Sequence, residues 1–220
     1  MTRTQLIASL LAAPLCAGAA WPQLPAPSNA RIEPIGTEVR LNGVPMRMQR
    51  VLTAQAAAEV ARHYREAFGP RHATERLPDR LVLSQGRDDY FITVSIRPLA
   101  PGVTEALVSV ADAREARQAA GRPLGLRLPA DSAVLSDMES VDDGMRSRQL
   151  VLSNTHAIPT NLQAISRELA LRGMRPDGPP LKATASEHVQ LFRGDGREAQ
   201  LTAFRQDGGT RIVLTTIEKP

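Results

Sequence analysis

Two stretches of this chain follow one plan, and an internal repeat constrains architecture before any other signal does. Asn42-Gly43 through Met48-Gln49-Arg50-Val51-Leu52-Thr53 recurs as Asp143-Gly144 through Arg148-Gln149-Leu150-Val151-Leu152-Ser153. Gln49, Val51 and Leu52 align with Gln149, Val151 and Leu152 at an offset of 100 residues (149 − 49). A helical pattern follows each stretch and stops at Gly69 or Gly173, and Gly102-Val103-Thr104 is echoed by Gly208-Gly209-Thr210.

The first copy opens with Val39 and Leu41 alternating up to Asn42-Gly43, a hairpin dipeptide because both residues tolerate positive φ. Pro45 starts the return strand, a position that suits an edge or a strand beginning. Thr53 is the expected helix N-cap. Val60, Tyr64, Ala67 and Phe68 then share one helical face, and Gly69-Pro70 closes it. Leu81 and Leu83, then Tyr90, Ile92, Val94 and Ile96, then Ala106, Val108 and Val110 alternate as strands.

The second copy repeats this with Val134 and Leu135, the turn Asp142-Asp143-Gly144 and a return strand to Leu152. Pro159 fits a first helical turn, where its missing N–H costs nothing. Ile158, Leu162, Ile165 and Leu169 form the helical face. Val189 and Leu191 take the part of Leu81 and Leu83, Leu201 and Ala203 that of Ile92 and Val94, and Ile212 and Leu214 that of Ala106 and Val108.

The expected fold class is α+β: a tandem duplication of a β-β-α-β-β-β unit, each with one helix on an antiparallel sheet. The units fall at 30–110 and 128–220, joined by a linker at 111–127 whose start, from Ala113 to Ala120, contains good helix formers. The free face of each sheet is polar in pattern and is expected to meet water or a partner.

Residues 1–20 have the form of a secretory signal peptide: Arg3, an apolar run from Leu6 to Leu15, and the small-residue site Ala17-Gly18-Ala19. Leu15 before Cys16 is not the small residue that lipid attachment requires, so the leader reads as cleaved rather than as a lipoprotein anchor. Cys16 is the only cysteine, and its removal leaves a chain without disulfides or thiolate chemistry. Residues 21–29 are a proline-rich tail, read as a spacer. No later stretch is apolar enough to span a bilayer. These features point to the periplasm.

The net charge of +4 comes from arginines interleaved with acids, the only lysines being Lys182 and Lys219. Only 3% of residues are aromatic, which argues against base-stacking platforms. Nucleic acid is therefore not an expected partner, and this charge allows at most weak affinity for anionic lipid or polysaccharide.

No nucleophile elbow, phosphate loop or zinc-protease motif occurs. His63, His72, His156 and His188 are scattered rather than paired at metal-ligand spacing. Asp88-Asp89, Asp142-Asp143 and Gly194-Asp195-Gly196 read as turns, where aspartate bonds its own backbone. No catalytic, cofactor or metal site is expected. Arg47, Met48, Arg146 and Arg148 are the candidate partner-binding residues, on strands expected at sheet edges, where arginines favour an acidic partner. The expected role is a non-enzymatic binding or assembly protein of the envelope, such as an accessory of secretion, pilus or outer-membrane machinery. The alternative is a small-ligand carrier or hydrolase with a pocket between helix and sheet.

Overall fold

A computed structural model describes residues 21–119 and 121–220; the leader, its cleavage site and Cys16 lie outside the described residues. The strands are β1 (Arg31–Pro34), β2 (Glu38–Leu41), β3 (Val44–Thr53), β4 (Ala73–Arg76), β5 (Leu81–Arg87), β6 (Tyr90–Ala100) and β7 (Val103–Asp112) in the first half. In the second they are β8 (Ala133–Asp142), β9 (Met145–Asn154), β10 (Arg175–Pro176), β11 (Lys182–Ala183), β12 (Glu187–Gly194), β13 (Arg197–Gln206) and β14 (Gly209–Glu218). Three helices complete the chain: α1 (Ala57–Phe68), α2 (Ala113–Ala119) and α3 (Ile158–Leu171). The architecture is α+β and mostly antiparallel sheet, and no described helix is long and apolar enough to cross a membrane.

All fourteen strands join one sheet, in the order β10-β12-β13-β14-β9-β8-β2-β3-β7-β6-β5-β4, with β1 on β3 and β11 on β12. Each half runs through the same strand order from its hairpin outward, and β2 and β8 pair at the centre. The unit is richer than β-β-α-β-β-β, since short strands also follow each helix: β4 in the first half, β10 and β11 in the second. The two hairpins turn on Asn42 (φ 51°) with Gly43 (φ 79°), and on Asp143 (φ 48°) with Gly144 (φ 78°). Two successive positive φ values match the twist of the flanking strands, which is why these dipeptides sit there.

Helices α1 and α3 cover the same face of the sheet. Val51, inward under α1, and Leu152, inward under α3, define the inner parity of β3 and β9. The outward Met46 pairs with Val39, Val39 with Ser140, and Ser140 with the outward Ser147, so parity is continuous across the junction. Val60, Tyr64 and Phe68 of α1 pack on Leu83, Ile92, Val94 and Ile96, and Ile165 and Leu169 of α3 on Phe192, Leu201 and Ile212. The helical faces anticipated from spacing are the buried ones, with Ala67 and Leu162 at their margins.

Register departs from the sequence alignment in instructive ways. Val51 and Leu152 are fully buried, but Val151 is half-buried on the opposite face. An offset of 100 residues therefore pairs opposite faces, because a one-residue slip inverts a strand. An offset of 101, as from Gly43 to Gly144, keeps faces and turns together. Likewise Phe192 and Gln190, not Val189 and Leu191, point inward from β12. Ladder pairing places Leu201 opposite Leu214 and Val94 opposite Val108, so Leu201 takes the part of Val94 rather than Ile92. Helix α1 starts later than expected: its N-cap is Ala56, whose N–H donates to Glu59 Oε2 at 3.1 Å. Thr53 Oγ1 instead accepts from Gln55 N at 3.2 Å, as Asn154 Oδ1 accepts from His156 N at 3.1 Å.

The proline-rich tail is a packed strap. Leu24 is buried against the first core with Trp21 and Ala26 beside it. Helix α2 forms within the expected linker, which begins inside β7. The remainder of that linker is a second strap, with Leu124, Leu126 and Leu128 packed on the second core. Gln55 Nε2 donates to Ser28 Oγ (3.1 Å) and His156 Nε2–H to Ala130 O (2.8 Å), so each strap is held by the residue two places beyond β3 or β9.

Candidate functional site

The four candidate residues do not form one surface. Strand β3 lies between β7 on one side and β1 and β2 on the other, and β9 lies between β8 and β14. Neither is an edge, so no backbone ladder is open there to a partner strand, contrary to the sequence expectation. Met48 faces outward, paired with Ser109. Arg47, Arg146 and Arg148 share the inner parity of Val51 and Leu152 and point to the helix-bearing side.

Arg47 lies with its guanidinium 5.2 Å from the centroid of the Trp21 ring, and Trp21 packs against Tyr90 at 5.2 Å between centroids. Arg148 is held differently. It donates two hydrogen bonds to Asp137 at 2.7 Å and one to Leu124 O at 2.7 Å. The Asp137 hydrogen bonds raise the Arg148 pKa above its usual value, outweighing burial. Arg148 thus anchors the second strap to β8, and reversing its charge would disturb the fold.

Beyond the C-terminal end of α3 lies a cavity of about 450 Å³. Its floor and walls include Leu150, Leu214, Leu169, Met174 and Leu126, and its rim carries five arginines: Arg122, Arg146, Arg148, Arg172 and Arg197. Four of the five face a carboxylate. Arg122 lies 3.6 Å from Glu139, Arg148 2.7 Å from Asp137, Arg197 2.8 Å from Glu218, and Arg172 pairs with Glu168. The Arg172 hydrogen bond holds the Glu168 carboxyl below its ordinary pKa, with the Arg127 N–H as a second donor. Arg172 also donates to the carbonyl of Gly125 and so ties the strap to α3. Arg146 is exposed, and its side chain has no hydrogen bond or ion pair among the described residues. A second cavity, of about 490 Å³, lies between α2, the β2–β3 turn and Leu124, and shares Arg148 with the first.

The corresponding place in the first half is filled. Trp21 stands seven residues before Ser28, where the first strap is clasped; the residue at that spacing in the second strap, Pro123, lines the second cavity instead and leaves this one without a ring. Arg47 corresponds to Arg148 at the 101 offset, and Tyr90 to Arg197, since these begin β6 and β13 opposite Asp112 and Glu218. Between Arg47 and Tyr90 sits an indole; between Arg148 and Arg197 sits the cavity.

Three of the four histidines hold structure. His63 Nε2–H donates to Pro25 O (2.9 Å), His72 Nδ1–H to Gly69 O (2.6 Å), and His156 clasps the second strap. Asp88, Asp143 and Gly196 have positive φ at hairpin turns. Among the described residues no group of three or more His, Cys, Asp or Glu side chains is placed to hold a metal ion. The outward face of the sheet is mixed rather than polar: Leu107 is half-buried there beside the ion network Arg97–Glu105–Arg50, and Val151 and Val213 are half-buried on the same face in the second half. Sequence reasoning named Arg146 and Arg148 and, in its alternative, a pocket between helix and sheet, but not the strap, β8 and β14 residues that wall this cavity.

No family model, curated protein or solved structure matches this chain.

Proposed function

We propose that this is a non-catalytic binding protein of the periplasm, built by tandem duplication of one α+β unit, and that the cavity beyond α3 is its ligand site. The duplication is supported by the register at the centre of the sheet. Val39 pairs with Ser140, its own counterpart at the 101 offset, while Glu38 with Val141 and Arg40 with Glu139 are mirror pairs. That is the pattern of a self-complementary interface, as between two copies of one unit. The periplasmic location is supported by the leader sequence.

The observation that carries the binding role is the unpaired Arg146 at the rim of an apolar-floored cavity whose counterpart is plugged by Trp21. A mostly apolar pocket with a few convergent polar groups is the usual form of a ligand site. The convergent groups are guanidinium cations, which bind anions and neither take nor give protons near neutral pH. A role in envelope machinery then runs through this site, since β3 and β9 offer no open edge. In thermal-shift assays apolar anions should raise the melting temperature of the wild-type chain but not of Thr216→Trp, which puts an indole into the cavity from the strand position paired with Arg148. Equal shifts in both chains, or none in the wild type, would refute a ligand site here.

A further inference from the structure

Resting on the reading of this cavity as a ligand site, we infer its ligand class: an aromatic carboxylate, with a planar ring between the Arg148 and Arg197 guanidinium groups and its carboxylate on Arg146. The ring follows from the other half of the molecule. There an indole occupies the equivalent place, 5.2 Å below Arg47 and 5.2 Å from Tyr90. In the second half Arg148 keeps the part of Arg47, and a guanidinium, Arg197, replaces Tyr90. Both flat groups can stack on a ring, and the in-plane hydrogen bonds of Arg148 to Asp137 leave its faces free. Met174 on the wall adds a thioether, which packs well at ring edges.

The single negative charge follows from the ion pairs. Four rim arginines have carboxylate partners, so only Arg146 has a full charge to offer. One monoanion balances it, and guanidinium binds a carboxylate through two parallel hydrogen bonds. The size agrees: about 450 Å³ lies in the lower part of the usual small-molecule range of roughly 300–1,000 Å³. Two sources share this chemistry, a free aromatic acid and the C-terminal aromatic residue of a polypeptide.

Calorimetric titration of the mature chain separates these possibilities with four probes: indole-3-acetate, decanoate, and a Gly-Gly-Gly-Trp peptide with a free or an amidated C-terminus. At least one aromatic carboxylate should bind ten-fold or more tighter than decanoate, and amidation should cost the peptide at least ten-fold. Binding by indole-3-acetate supports a free acid as the source; binding by the free-acid peptide alone supports a polypeptide end. Arg146→Gln, at an exposed position, should weaken the binding probe at least ten-fold, and Thr216→Trp, which fills the cavity, should abolish it. Arg211→Gln, on the opposite face of the sheet, should leave it unchanged. Decanoate binding as tightly as the aromatic probes overturns the ring while leaving a ligand site in place. Indifference to Arg146→Gln overturns the placement of the carboxylate. Failure of all four probes in the wild-type chain overturns both this inference and the ligand site beneath it.

Discussion

Trp21 lies against Tyr90 beneath Arg47 in the first half of the molecule, whereas in the second half the space between Arg148 and Arg197 is open. The surroundings are alike: a strap from the preceding segment, a hairpin turned on two positive-φ residues, and one helix on the inner face. An indole from the strap makes that place core in the first half, and no ring lines it in the second. A ring buries a large apolar area in one step, and its loss leaves a space that neighbours only partly fill. The arginine is then free for another use. In the first half it covers a ring; in the second it holds the strap through the Leu124 carbonyl while bound to Asp137 of β8.

The largest effects test whether the halves share one folding unit. Phe68 and Leu169 are counterparts at the 101 offset, exposed by only 5% and 0%. Phe68→Ala should cost about 3–5 kcal/mol and Leu169→Ala about 2–5 kcal/mol. Because β2 pairs with β8 and joins the halves into one sheet, both variants should lower the midpoint of a single urea transition. Two transitions, of which Leu169→Ala moves only one, would mean that the halves unfold separately.

Much of this core was legible in the sequence, and the failures have a physical pattern. The helical faces stood out because Val60, Tyr64 and Phe68, and Ile158, Ile165 and Leu169, repeat at helical spacing over three turns. The register of β9 was missed because Val51 and Val151 are identical residues on opposite faces, and a period of two cannot absorb a one-residue slip. The glycines of the two hairpins, 101 residues apart (144 − 43), were the better anchor, since a turn fixes the register of both its strands. The straps were hidden by their prolines, which also mark linkers. The alternation of Leu124, Leu126 and Leu128 was the signal that one of them packs. Arg146 and Arg148 were singled out for an edge that the strand order abolishes, because no pattern within a strand reveals its neighbours.

An intermediate effect lies in the polar atoms of the two cores. Asn161, fully buried, takes the place of Val60. It exchanges hydrogen bonds with Asn154: Asn154 Nδ2 donates to Asn161 Oδ1 at 2.8 Å, and Asn161 Nδ2 to Asn154 Oδ1 at 3.0 Å. The first half has the opposite defect, since the buried Tyr64 hydroxyl has no partner among the described residues, and burial pushes its pKa up to about 12. Asn161→Val should cost about 1–3 kcal/mol, because it leaves buried Asn154 atoms under-satisfied. Tyr64→Phe should be neutral or stabilising by about 1 kcal/mol, because it removes an unmet donor and little volume. A larger loss from Tyr64→Phe than from Asn161→Val, by urea denaturation, would invert the comparison.

The smallest effect is on the outward face. There Glu105 accepts from Arg50 Nε at 2.7 Å and from Arg97 Nε at 2.5 Å, with Glu33 3.5 Å from Arg50. In the second half the same positions hold Arg211 and Val151, so this network belongs to one half only. Burial by itself raises the Glu105 pKa, but the hydrogen bonds from Arg97 and Arg50 outweigh it and hold the carboxyl below its ordinary 4.5. A folded pKa below the unfolded one contributes stability that is present above the unfolded value and lost as pH falls through the folded value. Both arginines are more than a third exposed, so solvent screening keeps the contribution near 1 kcal/mol. Glu105→Gln should therefore destabilise the chain by about 1 kcal/mol at pH 7. The gap between variant and wild type should narrow as pH falls from 5 towards 3, because protonation of Glu105 removes from the wild type what the variant already lacks. A gap that stays constant over that range would mean that Glu105 is held by packing alone, and the outward faces of the two halves would then differ in sequence but not in electrostatics.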